Sequence, residues 1–203
     1  MTLLREPMRR TAPRARGELP PIRPDWSFFL DLDGTLVDIA PSPAAVRVSL
    51  ELQMSLMALR RFAGGALAVI SGRSIADLDQ LFDGARLAVA GQHGVERRDA
   101  SGHLDQLNVS AVDLAWARMQ VDAVTARHPD LTLEDKGRSL ALHYRAVPAL
   151  AGYVHSVMQS IQSTLGRAWA VQRGKCVVEL KAAARHKGDA IAAFLADPPF
   201  AGR

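Results

Sequence analysis

Two aspartates two residues apart, Asp31 and Asp33, stand at the end of an apolar run in the stretch "SFFLDLDGTLVDIAPSP". Charge beside Phe28, Phe29 and Leu30 is costly unless chemistry or a bound cation compensates it. The residue types suit phosphoryl transfer. One carboxylate attacks phosphorus and forms an acyl phosphate, which divides a hydrolysis into two easier steps. The other protonates the leaving alkoxide and later takes a proton from the incoming water. Residues two apart on an extended segment point to the same side, so the pair can share one substrate. Gly34 lets the backbone turn away, and the turn through Gly34 and Thr35 is expected to aim N–H groups at phosphate oxygens. A hard cation such as Mg²⁺ at Asp31 and Asp33 would offset the repulsion between carboxylates and phosphate. An Asp-Gly turn alone is common, but D-x-D-G-T fixes four residues, at the strand end where an open α/β sheet places its ligands.

Such a pair needs a strand to carry it and a sheet to hold that strand. "WSFFLD", "GALAVIS" and "RLAVAG" are continuous apolar runs, the pattern of parallel strands covered on both faces. Between them, "AAVRVSLELQMSLMALRRFA" has helical spacing, and "SIADLDQLF" opens with Ser74 and Asp77 in capping-box register. After "QHGVERRDASGH" the pattern changes. Residues 105–181 read as αββαββ, with hairpins turning at Lys136-Gly137-Arg138 and Arg173-Gly174-Lys175. Their strands alternate, which predicts an antiparallel sheet with one polar face. "HKGDAIAAFLADP" then gives a last helix. The expected fold class is α/β: a Rossmann-like parallel-sheet core at 25–98 and 183–203, with an inserted α+β cap at 99–182.

Composition narrows the partners. The net charge is +4, and residues 1–24 account for all of it, with six arginines against two glutamates. The remainder balances, so the folded part has no basic excess to follow a nucleic acid. The Arg- and Pro-rich tail is expected to be disordered. One cysteine, Cys176, excludes an internal disulfide framework and suits a reducing cytoplasm. No apolar run approaches the roughly 18 residues of a membrane span, and the N-terminus has no secretory apolar region. A small molecule is the expected partner, and oligomeric state has no signature in the sequence.

The motif "DLDGT" resembles the nucleophile motif of the haloacid-dehalogenase-like phosphatases. The resemblance implies Asp31 as nucleophile, Asp33 as general acid/base and Mg²⁺ as cofactor. It also implies phosphate binding by Ser71 and Gly72 in "VISGRS" and by Lys187 in "HKGDA". More narrowly, "LDLDGTL…PSPAAV", "VISGRS", "GQHGVE", "LEDKGRSLALHYR" and "GKCVVELK" resemble the trehalose-6-phosphate phosphatases over residues 28–188. The implied activity is hydrolysis of trehalose 6-phosphate through an aspartyl-phosphate, the last step of trehalose biosynthesis. The alternatives are a phosphatase for another sugar phosphate and an inactive sugar-phosphate-binding fragment. The implied sugar contacts are His93, Lys136, His143, Arg145, Lys175, Glu179 and Lys181, with Glu179 foremost because it is a carboxylate in an otherwise apolar strand. The sequence departs from the family at its fourth motif, a "GDDxTDE"-like acidic stretch with further metal ligands. No Gly-Asp-Asp occurs in the chain. The expectation is a chain truncated before that motif, with the strand bearing Asp31 left at a sheet edge.

Overall fold

The computed structural model describes residues 20–40 and 43–203. The first 19 residues of the basic tail, with the disorder expected of them, lie outside the described residues. The core sheet contains β1 (Phe28–Asp31), β2 (Leu67–Ile70), β3 (Ala88–Gly91), β4 (Glu96–Arg98) and β5 (Leu104–Gln106), in that spatial order. β1, β2 and β3 are parallel, with Asp31 opposite Ile70 and Ile70 opposite Ala90. β2 and β3 are buried along their whole length, as their unbroken apolar runs require. β1 is the edge strand of this sheet, as expected.

β4 and β5 form an antiparallel hairpin on the far edge of the same sheet. Residues 99–106, assigned to the cap from the sequence, therefore run with the core. The hairpin has no apolar run to reveal it. Besides its backbone pairing, it is fastened to α2 by charge, with Arg98 donating through Nη1 and Nη2 to both carboxylate oxygens of Asp79 at 2.7 and 2.6 Å.

Helices cover both faces. α1 (Leu50–Phe62) begins where the Ser49 hydroxyl accepts the Leu52 N–H, so Val46 and Val48 precede it. α2 (Ile75–Leu81) has the expected box, with Ser74 and Asp77 each capping the other. Leu56, Leu78 and Phe82 pack from this side on Leu67 and Val69. On the opposite face, α5 (Lys187–Ala196) and the segment after it set Phe194 and Phe200 against Ala68 and Ala90. Each fully buried side chain of this size is worth about 1.5–3 kcal/mol relative to exposure.

The insertion follows its predicted order: α3 (Ala111–Thr125), β6 (Thr132–Asp135), β7 (Leu140–His143), α4 (Ala151–Leu165), β8 (Trp169–Gly174) and β9 (Val177–Ala182). Its sheet is antiparallel in the order β6-β7-β9-β8. Leu140, Leu142, Val178 and Leu180 meet Val121, Met158 and Ile161 of the two helices in a separate core. Directly paired residues share a face, so Glu134, Ala141, Glu179 and Gln172 form one row across the other face. That row is turned toward the end of β1. No described helix is long and apolar enough to cross a membrane.

Candidate active site

A cleft of ≈ 370 Å³ lies between the carboxyl end of β1 and the polar face of the cap sheet. Asp31, Asp33, Gly72, His93, Lys136, His143, Arg145, Lys175, Glu179 and Lys187 line it, which brings together ten of the residues expected from the sequence. A larger neighbouring cleft, ≈ 970 Å³, shares Arg73, Glu134, His143 and Arg145 but includes neither aspartate nor Lys187. The chemistry therefore belongs to the smaller one.

The two aspartates are held by different cations. Lys187 Nζ donates to Asp31 Oδ1 at 2.9 Å, and the Leu32 N–H donates to the same oxygen at 3.0 Å. Among the described residues, every hydrogen bond to Asp31 falls on Oδ1, which leaves Oδ2 to act. Lys187 is in place because α5 starts at it. The His186 imidazole accepts the Asp189 N–H, and the Asp189 carboxylate accepts the His186 N–H. Asp33 is gripped by Arg73, whose Nε and Nη2 donate to Oδ2 and Oδ1 at 2.9 and 2.7 Å. Such a bidentate pair fixes the carboxylate plane as well as its charge.

On the cap side, Glu179 is buried yet fully partnered. Ser139 Oγ donates to Oε1 at 2.8 Å, Lys136 Nζ donates to Oε2 at 3.3 Å, and His93 Nε2 lies 3.2 Å from Oε2. Burial pushes its carboxyl up, but the His93 hydrogen bond, the Lys136 charge and the Ser139 hydroxyl outweigh it and hold the group at about 2. The imidazole reaches this position because residue 72 is glycine, since a Cβ there would sit 2.8 Å from His93 Nε2. His143 Nε2 pairs with Glu134 at 2.8 Å, and Arg145 Nη2 donates to the Lys175 carbonyl at 3.2 Å.

Four expected residues lie elsewhere. Ser71 is fully buried, and its Oγ accepts the Arg73 N–H at 3.1 Å beneath the turn. Gly34 and Thr35 are exposed outside the cleft lining. Their N–H groups donate to the Val37 and Leu32 carbonyls at 2.7 and 3.2 Å, so the turn spends its donors on itself instead of on a phosphate. Lys181 is buried on the same face of β9 two residues beyond Glu179, outside the cleft lining, and donates to the Arg185 carbonyl at 3.3 Å, which ties down the link to α5. Burial lowers its pKa, against the opposing charges of Glu179 and Asp189. Arg73, Glu134 and Gln172 were not foreseen and do line the cleft. Arg73 stood within "VISGRS", and Glu134 and Gln172 fall in the register of Glu179 on alternating strands, which is the signal that could have found them.

Among the described residues, no three His, Cys, Asp or Glu side chains gather as a metal cluster. The carboxylates available to a cation are Asp31 and Asp33, 46% and 37% exposed. Mg²⁺ binds through one or two carboxylates and completes its shell with water and substrate phosphate, so this donor set fits it in kind.

A parallel core with two aspartates at the end of its first strand and an inserted sheet over them is the fold shared with solved haloacid-dehalogenase-like hydrolases. The chain belongs to the trehalose-phosphatase family, whose model matches residues 29–203. It is 44% identical over 179 residues to a probable trehalose-phosphate phosphatase of Sinorhizobium fredii, covering 88% of this chain and 67% of that one. It is 40% identical over 186 residues to the trehalose-6-phosphate phosphatase of Escherichia coli, covering 92% of this chain and 70% of that one. In structure it is similar to the C-terminal domain of the C. albicans trehalose-6-phosphate phosphatase, with a TM-score of 0.77 at 24% identity, covering 87% of this chain. The chain spans 63% of that domain's length.

Proposed function

We propose that this protein hydrolyses trehalose 6-phosphate to trehalose and inorganic phosphate through an aspartyl-phosphate on Asp31. The observation that carries the reading is the division of labour at β1. Lys187 and the Leu32 N–H hold Asp31 Oδ1 and leave Oδ2 for phosphorus, while Arg73 holds Asp33 beside it. Asp31 Oδ2 attacks phosphorus as the bond to the sugar 6-oxygen breaks, and Asp33, which enters this step protonated with its Arg73 pair loosened, gives that oxygen its proton. Asp33 then takes a proton from water, whose oxygen attacks the acyl phosphate and restores the Asp31 carboxylate. Lys187 offsets the negative charge gathered on the phosphoryl group. Mg²⁺ is the cofactor proposed for Asp31 and Asp33, and it would neutralise phosphate charge during approach.

The cap and the core rim supply the sugar contacts in this reading. Glu179, Lys136, Arg145, Lys175 and His143 of the cap and His93 of the core line the cleft together with the aspartates. Gly72 contributes only backbone. The names carried by the 44% and 40% identical relatives support this sugar phosphate over others. A reducing cytoplasm suits the lone Cys176.

The test replaces the nucleophile and keeps its shape. Asp31→Asn is expected to lower phosphate release from trehalose 6-phosphate by at least about a thousandfold, since covalent catalysis loses its attacking group. Binding of trehalose 6-phosphate, measured calorimetrically, should persist. Near-normal turnover, or a phosphoryl group trapped on another residue, would overturn the assignment.

A further inference from the structure

Gln92 has no place in the chemistry above, yet it is 1% exposed and all of its side-chain capacity is directed across the core–cap boundary or toward the core beneath it. Its Nε2 donates to the Lys136 carbonyl at 2.8 Å and to Glu96 Oε1 at 3.2 Å. Its Oε1 lies 3.3 Å from Ser139 Oγ, whose one proton goes to the nearer Glu179 Oε1 at 2.8 Å. Two of these partners belong to the turn between β6 and β7. The third, Glu96, is 7% exposed and accepts the Ile75 N–H at the start of α2 at 2.9 Å through its other oxygen. A buried polar chain thus runs from α2 through Glu96 and Gln92 to Ser139 and Glu179.

The same cap turn is fastened at neighbouring points. Lys136 Nζ donates to the Gly72 carbonyl at 3.1 Å, and Arg138 donates to the Leu107 carbonyl and Gln106 Oε1 at 2.9 and 2.8 Å. At the far side of the sheet, the turn between β8 and β9 has Arg173, Gly174 and Lys175 exposed. One end of the cap sheet is pinned to the core and the other overhangs the cleft. The backbone at Gln92 is itself unusual, with φ +46 beside His93 at φ +60. Non-glycine residues hold this conformation where surrounding contacts over-determine it.

We propose that Gln92 is a positioning residue: it docks the Lys136–Ser139 turn on the core and so sets Lys136 and Glu179 above the Asp31–Asp33 pair. The pinned turn is the pivot about which the cap moves, and the Lys175 end is the part that swings. A sugar hydroxyl reaching Glu179 exchanges with His93 or Lys136, while the Gln92 bonds stay made. Only the ligand-binding arm of the following test rests on the trehalose 6-phosphate reading.

The experiment compares the unsubstituted chain with Gln92→Leu, and with Gln92→Asn, which keeps the amide but draws it back from the Lys136 carbonyl. Loss of a buried hydrogen bond of this kind corresponds to about tenfold in an equilibrium. Amide hydrogen exchange across residues 134–142 should speed up by about tenfold in Gln92→Leu, with β2 unchanged. Affinity for trehalose 6-phosphate should fall by about tenfold, with affinity for inorganic phosphate unchanged. Unchanged exchange at 134–142, or equal acceleration in β2, would overturn the proposal, as would equal loss of both ligands. If the unsubstituted chain binds no trehalose 6-phosphate, the substrate reading fails and the exchange arm alone decides. If Gln92→Leu does not fold, the local exchange of Gln92→Asn decides.

Discussion

Glu179 shows how a single carboxylate can be buried at low net cost. Desolvation favours its protonated form, and three donors reverse that preference. The consequence for pH has a definite sign. Its ordinary value of 4.5 drops to about 2 in the folded protein. A depressed carboxylate contributes stability that is complete above the unfolded value and is lost as pH falls through the folded one. The window is therefore from 4.5 down to about 2. Glu179→Gln is expected to cost on the order of 3 kcal/mol near neutral pH, by the usual conversion of a pKa shift to free energy. That cost should shrink as the pH falls through the window. Denaturant unfolding of both proteins from pH 7 to pH 2 measures it, and a constant difference would show that Glu179 is not the charged partner described.

At the scale of elements, the turn Gly91–Gly94 and the start of α5 hold each other in place. Gly94 has φ +102, and a Cβ there would lie 2.5 Å from the His186 carbonyl oxygen. His186 is the N-cap of α5, and Lys187 follows it. Gly94→Ala is therefore expected to push the helix start away and loosen the Lys187–Asp31 contact. The expected cost is about 2–3 kcal/mol, from a left-handed alanine together with a backbone clash. Thermal unfolding checks the stability, and phosphate release should fall more than at Gly84, where an added Cβ meets nothing within 4 Å. Equal effects at the two glycines would separate the turn from the site. The elements themselves were largely legible. Apolar runs gave β1, β2 and β3, and alternation gave the cap strands, because both patterns are local. The β4–β5 hairpin was not, since Arg98 depends on Asp79 from another element. Lys181 shares a face with Glu179 on β9, and only the path of the Arg185 backbone reveals that it is covered. Ser71 and Arg73 sit two apart in one motif. Which of them meets the cleft is decided by Asp33, forty residues earlier in the chain.

At the scale of the molecule, two hydrophobic cores share one site. The cap has its own cluster around Leu142, Met158 and Leu180, separate from the clusters on either face of the core sheet. They meet through polar contacts at the cleft and through Arg185, in the link between β9 and α5, whose Nη1 donates to Asp105 Oδ2 of β5 at 2.9 Å. Polar boundaries of this kind permit units to open separately. Leu142 is fully buried at the centre of the cap cluster. Leu142→Ala removes its packing and leaves a cavity, at a cost of about 2–5 kcal/mol. If the cap is its own unit, that cost falls on the cap alone. Amide exchange should rise in α3, α4 and β9 and stay slow in β2 and β3, where the strands are fully buried on the other side of the boundary. Leu67→Ala, in the core sheet, is expected to give the reverse pattern. Should either substitution accelerate exchange equally throughout, the two cores fold as one. The cleft would then be a fixed groove, with no pivot at Lys136–Ser139.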